Sequence, residues 1–167
     1  MTFDEALQRL IGHEGGYQSD LQDGGNWTGG KVGAGQLRGT KYGISAAAYP
    51  GEDIANMTME RARVLYLRDY WGPAGCAAVP EGIRFDLFDM AVNSGVRQAI
   101  KALQQAVQET VDGFLGPLTL QAVSSMPPAR LVARFNGARL LIMADADAWP
   151  AYGRGWARRV AANLMAA

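Results

Sequence analysis

The amino-acid sequence predicts a mainly α-helical, α+β fold with one small β or irregular element after the first helix. Several segments of the 167-residue chain carry apolar residues at helical spacing and end at glycine or proline. One long stretch, residues 15–43, is instead rich in glycine and polar residues. Hydrophobic residues make up 49% of the chain and charged residues 19%, a balance typical of a folded globular protein.

The first helix is predicted from about Phe3 to His13. Thr2 and Glu5 have the spacing of a capping box, which marks a helix start. An apolar stripe at helical spacing follows, formed by Phe3, Leu7, Leu10 and Ile11. Glu14 extends this stripe, so its carboxylate is expected on the core side of the helix, which is an unusual place for an acid.

The glycine-rich stretch at residues 15–43 is too long for a plain connector, so it is predicted to be a functional loop or an irregular hairpin. Its second part, "WTGGKVGAGQLRGTKYGI", predicts two short strands with glycines at the turns. Later helices are predicted at residues 58–71, 83–95, 96–108, from about 117, at 128–149 and at 155–167. Trp71 is expected in the core, as aromatic residues at helical spacing usually are.

Charge and cysteine content narrow the classes of function. The net charge is zero, but residues 1–83 carry about −3 and residues 84–167 about +3, which is compatible with an anionic polymer as partner. The single cysteine, Cys76, excludes an internal disulfide. A nucleophilic pair of Cys76 with the only histidine, His13, is disfavoured because the cysteine lies in an ordinary stretch of small residues.

The sequence shows no segment that predicts membrane insertion, since no run approaches 18 apolar residues. The N-terminus is amphipathic and acidic, unlike a secretory signal peptide. We therefore expect synthesis in the cytoplasm without a signal peptide, and release by some other route.

Four residues form the candidate catalytic set: Glu14, Asp20, Asp23 and Thr40. Glycosidic bond cleavage commonly uses one protonated carboxyl group, which donates to the leaving oxygen, and one ionised carboxylate. Glu14 at the edge of an apolar stripe should favour the protonated form, whereas the aspartates in a polar loop should stay ionised. From the residues alone, a helix stop followed by a cluster of turns remains the alternative. Calcium binding is disfavoured because the EF-hand pattern is absent.

The stretch "EGGYQSD", with "TKYGIS" downstream, resembles the start of glycoside hydrolase family 108, the lysozyme-like N-acetylmuramidases common among phage endolysins. The chain keeps the family's E-G-G-Y, two aspartates, G-G and T-x-Y-G-I. It departs at "NWTGGKVGAGQLRG", residues 26–39, where the family usually has one or two residues. The family's catalytic glutamate matches Glu14, and the residues facing it match Asp23 and Thr40. Thr28 is a competing threonine because it lies nearer in sequence.

The second half of the chain, "FDMAVNSGVRQAIKALQQAVQ" followed by "DGFLGPLTLQAV", resembles the predicted peptidoglycan-binding region that accompanies this family. From the residues alone, the second segment is interpreted as a structural turn rather than a ligand contact. Asp89 and Asn93, four residues apart on one predicted helix face, could likewise bind loop backbone. Asn93 is the residue of this half that we would place in the substrate cleft.

The resemblance implies a lysozyme-like fold of two lobes with a cleft between them. Residues 1–82 would be the catalytic lobe, and residues 83–167 a helical peptidoglycan-binding lobe packed into the same globule. The implied reaction is hydrolysis of the β-1,4 bond between N-acetylmuramic acid and N-acetylglucosamine. Glu14 would be the general acid, Asp23 or else Asp20 the ionised partner, and Thr40 would help to hold the water. The candidate substrate-binding residues are Tyr42, Asn93 and Tyr17.

The resemblance also implies a biological setting. The expected partner is the glycan strand of peptidoglycan, with no metal, cofactor, nucleic acid or stable membrane insertion, and the chain is expected to be a monomer. A phage-type lysis protein would reach the cell wall after release, in a holin-dependent step. Two other classes remain: a non-catalytic peptidoglycan-binding or secretion-assisting protein, and a lytic transglycosylase. The second carboxylate at Asp23 favours hydrolysis weakly.

Overall fold

The computed structural model describes residues 1–12 and 16–166, and this part of the chain is mainly helical with one small sheet. The helices are α1 (Phe3–Ile11), α2 (Met59–Tyr66), α3 (Glu81–Ser94), α4 (Val96–Val107), α5 (Pro117–Ser125), α6 (Pro128–Ala144) and α7 (Trp149–Met165). The strands are β1 (Thr40–Lys41) and β2 (Ile44–Ser45). The predicted mainly α, α+β class is confirmed.

Helix α1 begins at the predicted capping box. The Thr2 N–H donates to Glu5 Oε2 at 2.6 Å, and the Glu5 N–H donates to Thr2 Oγ1 at 3.3 Å. The helix ends at Ile11, two residues before the predicted end at His13, because Gly12 adopts a φ of +60°. Glycine in this left-handed conformation is a common helix C-cap. The predicted orientation of Glu14 falls on a residue outside the described part.

The chain divides into two compact units, which we call the loop unit (residues 7–66) and the helical unit (residues 1–6 and 67–167). The loop unit contains the two-stranded antiparallel sheet, in which Thr40 pairs with Ser45 and Lys41 with Ile44. Tyr42 and Gly43 connect the strands with φ values of +52° and +76°. A two-residue hairpin turn of type I′ requires positive φ at both central residues, and its twist matches the right-handed twist of the strands.

The helical unit is built around α3, in which Ile83 and residues 85–91 are buried. Helix α3 packs on α4 and α6, and α6 also packs on α4 and α7. Trp71 is buried, as predicted, and its ring meets those of Phe3 and Phe88 edge-on at centroid distances of 5.5 and 5.4 Å. These rings form one end of the apolar core of the helical unit.

Several predicted helix boundaries after α1 were also wrong. The segment predicted as one helix over residues 58–71 is α-helical only to Tyr66, and a wider π-helical turn follows at Leu67–Trp71. The helix predicted over 128–149 ends at Ala144, and Trp149 instead begins α7. Proline lacks an N–H group and suits the first turn of a helix, so Pro150 marks a start rather than an end.

A buried carboxylate connects three helices of the helical unit. Asp89 of α3 is 2% exposed and lies 2.7 Å from Nη2 of the fully buried Arg139 of α6. Arg159 and Asn163 of α7 donate to the same carboxylate at 2.8 and 2.9 Å. Burial raises the pKa of Asp89, but the hydrogen bond from Arg159 and the charge of Arg139 outweigh it, so the net pKa lies below its ordinary value. The idea that Asp89 binds loop backbone is therefore wrong.

The "DGFLGPLT" segment is held by one buried side chain, Gln104 of α4. Its Nε2 donates to Asp112 Oδ1 at 2.8 Å and to the Phe114 carbonyl at 3.0 Å. Its Oε1 accepts from the Gly113 N–H at 2.8 Å, and Gly113 has a φ of +80°. These contacts give the segment a structural role, as the turn interpretation of the sequence predicted.

Candidate active site

The loop after α1 runs beside the first strand. Gln18 pairs with Thr40 through two backbone hydrogen bonds, of 2.9 Å from Gln18 N to Thr40 O and 2.8 Å from Thr40 N to Gln18 O. This pairing places Thr40 next to the loop that carries Asp20 and Asp23. Three of the four candidate catalytic residues therefore belong to one local arrangement.

Asn26 is the centre of that arrangement, since its side chain is fully buried among polar partners. Its amide and the Gln18 amide form a reciprocal pair, with distances of 2.8 Å from Asn26 Nδ2 to Gln18 Oε1 and 3.1 Å in return. Asn26 Nδ2 also donates to the Asp20 carbonyl at 2.9 Å. The Thr40 hydroxyl donates to Asn26 Oδ1 at 2.8 Å, which leaves the hydroxyl oxygen able to accept from a water.

The two aspartates differ in how their carboxylates are held. Asp23 Oδ1 accepts from the Gly25 N–H at 2.9 Å, and its Oδ2 lies 3.4 Å from Gln18 Nε2. Asp20 Oδ1 accepts from the Gln22 N–H at 2.9 Å and closes a local turn. Asp23 is therefore the aspartate whose carboxylate contacts the Gln18–Asn26 amide pair, and Asn26 in turn accepts from the Thr40 hydroxyl.

The 26–39 insertion is a compact hairpin that returns to its own start. Trp27 pairs with Leu37, and the Thr28 N–H donates to the Gln36 carbonyl at 2.9 Å. At its base the N–H groups of residues 38 and 39 donate to the Asn26 carbonyl at 2.9 and 3.0 Å. The extra residues therefore leave Thr40 beside Gln18. The competing Thr28 accepts the Gln36 N–H at 2.9 Å and serves the hairpin instead.

Tyr17 lines a pocket of about 450 Å³ within the loop unit. The other lining residues come from the end of the insertion and from the segment before α2; they are Leu37, Arg38, Gly51, Asp53, Ile54 and Ala55. The Tyr17 ring packs against Gly39, where a Cβ atom would lie 2.5 Å from Tyr17 Cε2. The side chain nevertheless keeps 45% of its surface exposed, so one part of the ring is available to a ligand.

The remaining two candidate binding residues lie in different surroundings. The Tyr42 carbonyl accepts a hydrogen bond of 3.0 Å from the Tyr66 hydroxyl, and Lys41 Nζ lies 5.4 Å from the centre of the Tyr42 ring. Asn93 belongs to the helical unit and lines a pocket of about 340 Å³. The other residues of that pocket are Ser94, Gln98, Ile142, Met143, Asp145, Ala146 and Trp156.

Three further observations concern the cysteine, metal ligation and membrane-spanning helices. Cys76 is buried, and this burial raises the pKa of its thiol to about 12, so a reactive thiolate is not available there. Outside residues 13–15 and 167, no group of three or more His, Cys, Asp or Glu side chains could hold a metal ion. In the same part of the chain no helix is both long and apolar enough to cross a membrane. Glu14, the proposed acid, lies outside the described residues.

Sequence reasoning did not find Gln18 and Asn26. Gln18 occupies a variable position inside the "EGGYQSD" motif, and Asn26 is the first residue of the insertion. A single polar residue in a glycine-rich loop carries no periodic signal of burial. The only available hint was that asparagine directly after two glycines suits a turn.

Comparison with known proteins identifies a matching family and a similar solved structure. The model of a family described as Glycosyl hydrolase 108 matches residues 7–95, slightly more than half of the chain. A solved structure described as "Structure of Brucella abortus SagA" is similar with a TM-score of 0.80 and 28% sequence identity. The similarity covers 98% of this chain and 91% of that one. No match was found among curated proteins.

Proposed function

Because the chain belongs to the glycosyl hydrolase 108 family, we propose that it is a peptidoglycan hydrolase that cleaves the β-1,4 bond between N-acetylmuramic acid and N-acetylglucosamine. The family supports a glycoside hydrolase of the cell wall. We propose this bond as the one cleaved, and Glu14, Asp23 and Thr40 of the loop unit as the residues that cleave it.

In the proposed reaction Glu14 donates its proton to the glycosidic oxygen as the bond to the anomeric carbon breaks. The positive charge that develops on the sugar needs an anionic neighbour. Asp23 is the better candidate, because its carboxylate is within 3.4 Å of the Gln18 amide that pairs with Asn26. Asp20 remains the second candidate. A water then adds to the anomeric carbon and passes its proton to the Glu14 carboxylate, which restores the acid.

The Gln18–Asn26 amide pair is the observation that supports this proposal most. It joins the aspartate loop to the Thr40 hydroxyl through hydrogen bonds of 2.8–3.1 Å, although 14 residues of insertion separate Gly25 from Thr40. A hydrolase gains from holding a water-binding hydroxyl and a carboxylate in fixed positions before the substrate arrives.

The test is digestion of purified peptidoglycan by the wild type and by Glu14→Gln, with the products identified by mass spectrometry. We expect reducing muramic acid ends from the wild type and a loss of at least about a hundredfold in rate for the variant. Glu60→Gln is the matched control, because Glu60 is exposed on α2 and makes one long ion pair of 3.9 Å with Arg63. Equal digestion by the wild type and Glu14→Gln would refute the assignment of Glu14.

The same digestion separates the two alternatives. Anhydromuramyl ends would identify a lytic transglycosylase, in which a sugar hydroxyl replaces water. Binding to peptidoglycan without any product would identify a non-catalytic wall-binding or secretion-assisting protein. The carboxylate held at Asp23 favours hydrolysis over the first alternative.

We further propose that residues 83–167 contribute to wall binding and that the protein acts in phage-type lysis, both on the strength of the sequence resemblance. Expression in a bacterial host should cause lysis only when a holin-like membrane-permeabilising protein is expressed with it. Lysis without such a protein would contradict the proposed setting and leave the proposed chemistry intact.

A further inference from the structure

The pocket beside Tyr17 depends on the insertion. Leu37 and Arg38 are the last residues of the hairpin before its base, and both line the pocket. Tyr17 belongs to the candidate catalytic loop. It directly precedes Gln18, whose side-chain amide pairs with that of Asn26. The insertion therefore adds residues to a pocket next to the candidate active site, in a position where the family pattern has almost no chain.

Arg38 is held in place with part of its hydrogen-bonding capacity still available. Its Nε and Nη2 donate to Gln36 Oε1 at 2.9 and 2.6 Å, and its Nη1 donates to the Pro50 carbonyl at 3.2 Å. A guanidinium has five N–H donors, so two remain for a ligand. A pre-oriented guanidinium binds carboxylate with little further loss of side-chain entropy.

The lining of this pocket carries one cation, Arg38, and one carboxylate, Asp53. Lys41 Nζ donates to the carbonyl of Ala55, a lining residue, at 3.1 Å. Asp53 is the one carboxylate in the lining, and both of its oxygens accept from Asn56, at 3.3 and 3.0 Å. Asp53 thus has polar partners of its own, and Lys41 adds a second cation beside the lining, so Arg38 can pair with an anionic group of a ligand.

The walls of the pocket suit a sugar ring. The exposed part of Tyr17 offers an aromatic surface, whereas Ile54, which also lines the pocket, is 1% exposed and offers almost none. Asp53 can accept from a hydroxyl or an amide N–H of the ligand. The exposed lining is more polar than apolar, which suits the hydroxyl and amide groups of a sugar.

We propose that this pocket binds the acidic part of a muropeptide, with Arg38 pairing with its carboxylate and Tyr17 carrying the sugar ring. This inference rests on the proposed function for its ligand class. The carboxylate has two sources in peptidoglycan, the lactyl group of muramic acid and the stem peptide. In either case the insertion makes the loop unit selective for the acidic cell-wall glycan over a neutral N-acetylglucosamine polymer.

The test measures binding by NMR titration to the full chain carrying Glu14→Gln, so that no ligand is cleaved. The probes are N-acetylmuramic acid, which has a free lactyl carboxylate, N-acetylmuramyl dipeptide, whose carboxylate is in the peptide, and the neutral tetramer of N-acetylglucosamine. Arg38→Gln should weaken binding of at least one acidic probe about tenfold, because a charge-assisted hydrogen bond is lost. The probe that is weakened identifies the source of the carboxylate.

Two controls keep the result specific. Lys31→Gln removes one positive charge from the same hairpin, from a residue that is exposed and does not line the pocket, and should leave all three affinities unchanged. Tyr17→Ala should weaken both acidic and neutral probes. Arg38→Lys keeps the positive charge but loses the planar guanidinium that can bind a carboxylate through two N–H groups. It should bind acidic probes better than Arg38→Gln does.

Unchanged binding of both acidic probes by a folded Arg38→Gln would overturn the pocket proposal, as would equal weakening by Lys31→Gln. If Arg38→Gln does not fold, the comparison of wild type with Arg38→Lys decides, and equal affinities for the acidic probes would count against a guanidinium site. The titration measures binding and not cleavage. A negative result in the hydrolase assay would therefore not change the outcome of the binding test.

Discussion

Replacing Asn26 by alanine is the most direct perturbation of the candidate active site. The change removes four hydrogen bonds: two with the Gln18 amide, one to the Asp20 carbonyl and one from the Thr40 hydroxyl. A neutral hydrogen bond contributes about 1 kcal/mol net to stability. Gln18 is exposed and can return to water, so its two bonds are partly recovered. We therefore expect the loss of about 2–3 kcal/mol in the free energy of unfolding.

The effect on catalysis should exceed the effect on folding. In Asn26→Ala the Thr40 hydroxyl has lost its acceptor and can rotate, and the aspartate loop keeps only the backbone pairing of Gln18 with Thr40 as its attachment to β1. Misplacement of a catalytic group by about 1 Å can cost about a hundredfold in rate. The assays are urea unfolding for stability and muropeptide release under conditions where more than nine-tenths of the variant is folded.

Gln22→Ala is the matched control, since Gln22 is exposed in the same loop and its one described hydrogen bond is made by its backbone. It should change stability and rate little. A folded Asn26→Ala that releases muropeptides at the wild-type rate would refute the reasoning that the amide pair organises the active site.

Three further predictions concern single side chains. Thr40→Val should cost about 1 kcal/mol of stability and at least about tenfold in muropeptide release, and an unchanged rate would remove the hydroxyl from the mechanism. Asp89→Asn should cost about 3 kcal/mol at neutral pH, because it leaves the buried Arg139 without its counter-charge. Since the folded pKa of Asp89 is lowered, its contribution is present above the unfolded value and is lost as the pH falls through the folded value. Urea unfolding at several pH values should therefore show the gap between wild type and Asp89→Asn narrowing in acid, and a constant gap would contradict the ion-pair account. Cys76 should resist thiol reagents in the folded protein at pH 8, because burial raises its pKa to about 12, and rapid labelling would show that this part of the core opens.

Much of the helical framework was accessible from the sequence because its signals are local. The capping box of Thr2 and Glu5 lies within one helical turn, and the start of α5 at Pro117 follows from the fixed φ of proline. The aspartate loop and its distance from Thr40 along the chain were also visible as a motif. The predicted helix failed at the π-helical turn of Leu67–Trp71, where Trp71 packs against Phe3 and Phe88 from distant parts of the sequence. The ends at Gly12 and before Pro150 failed although their causes are local.

The sequence by itself determined which residue types were available for the chemistry, namely acidic residues in a polar loop after an amphipathic helix. The family resemblance was built on the same residues. Only the tertiary structure decided which side chains meet. Asn26 joins partners up to 14 residues away, and Asp89 joins partners 50 to 74 residues away. Such partners are chosen by the cost of leaving a buried polar group unpaired, and that cost exists only once the chain has folded around it.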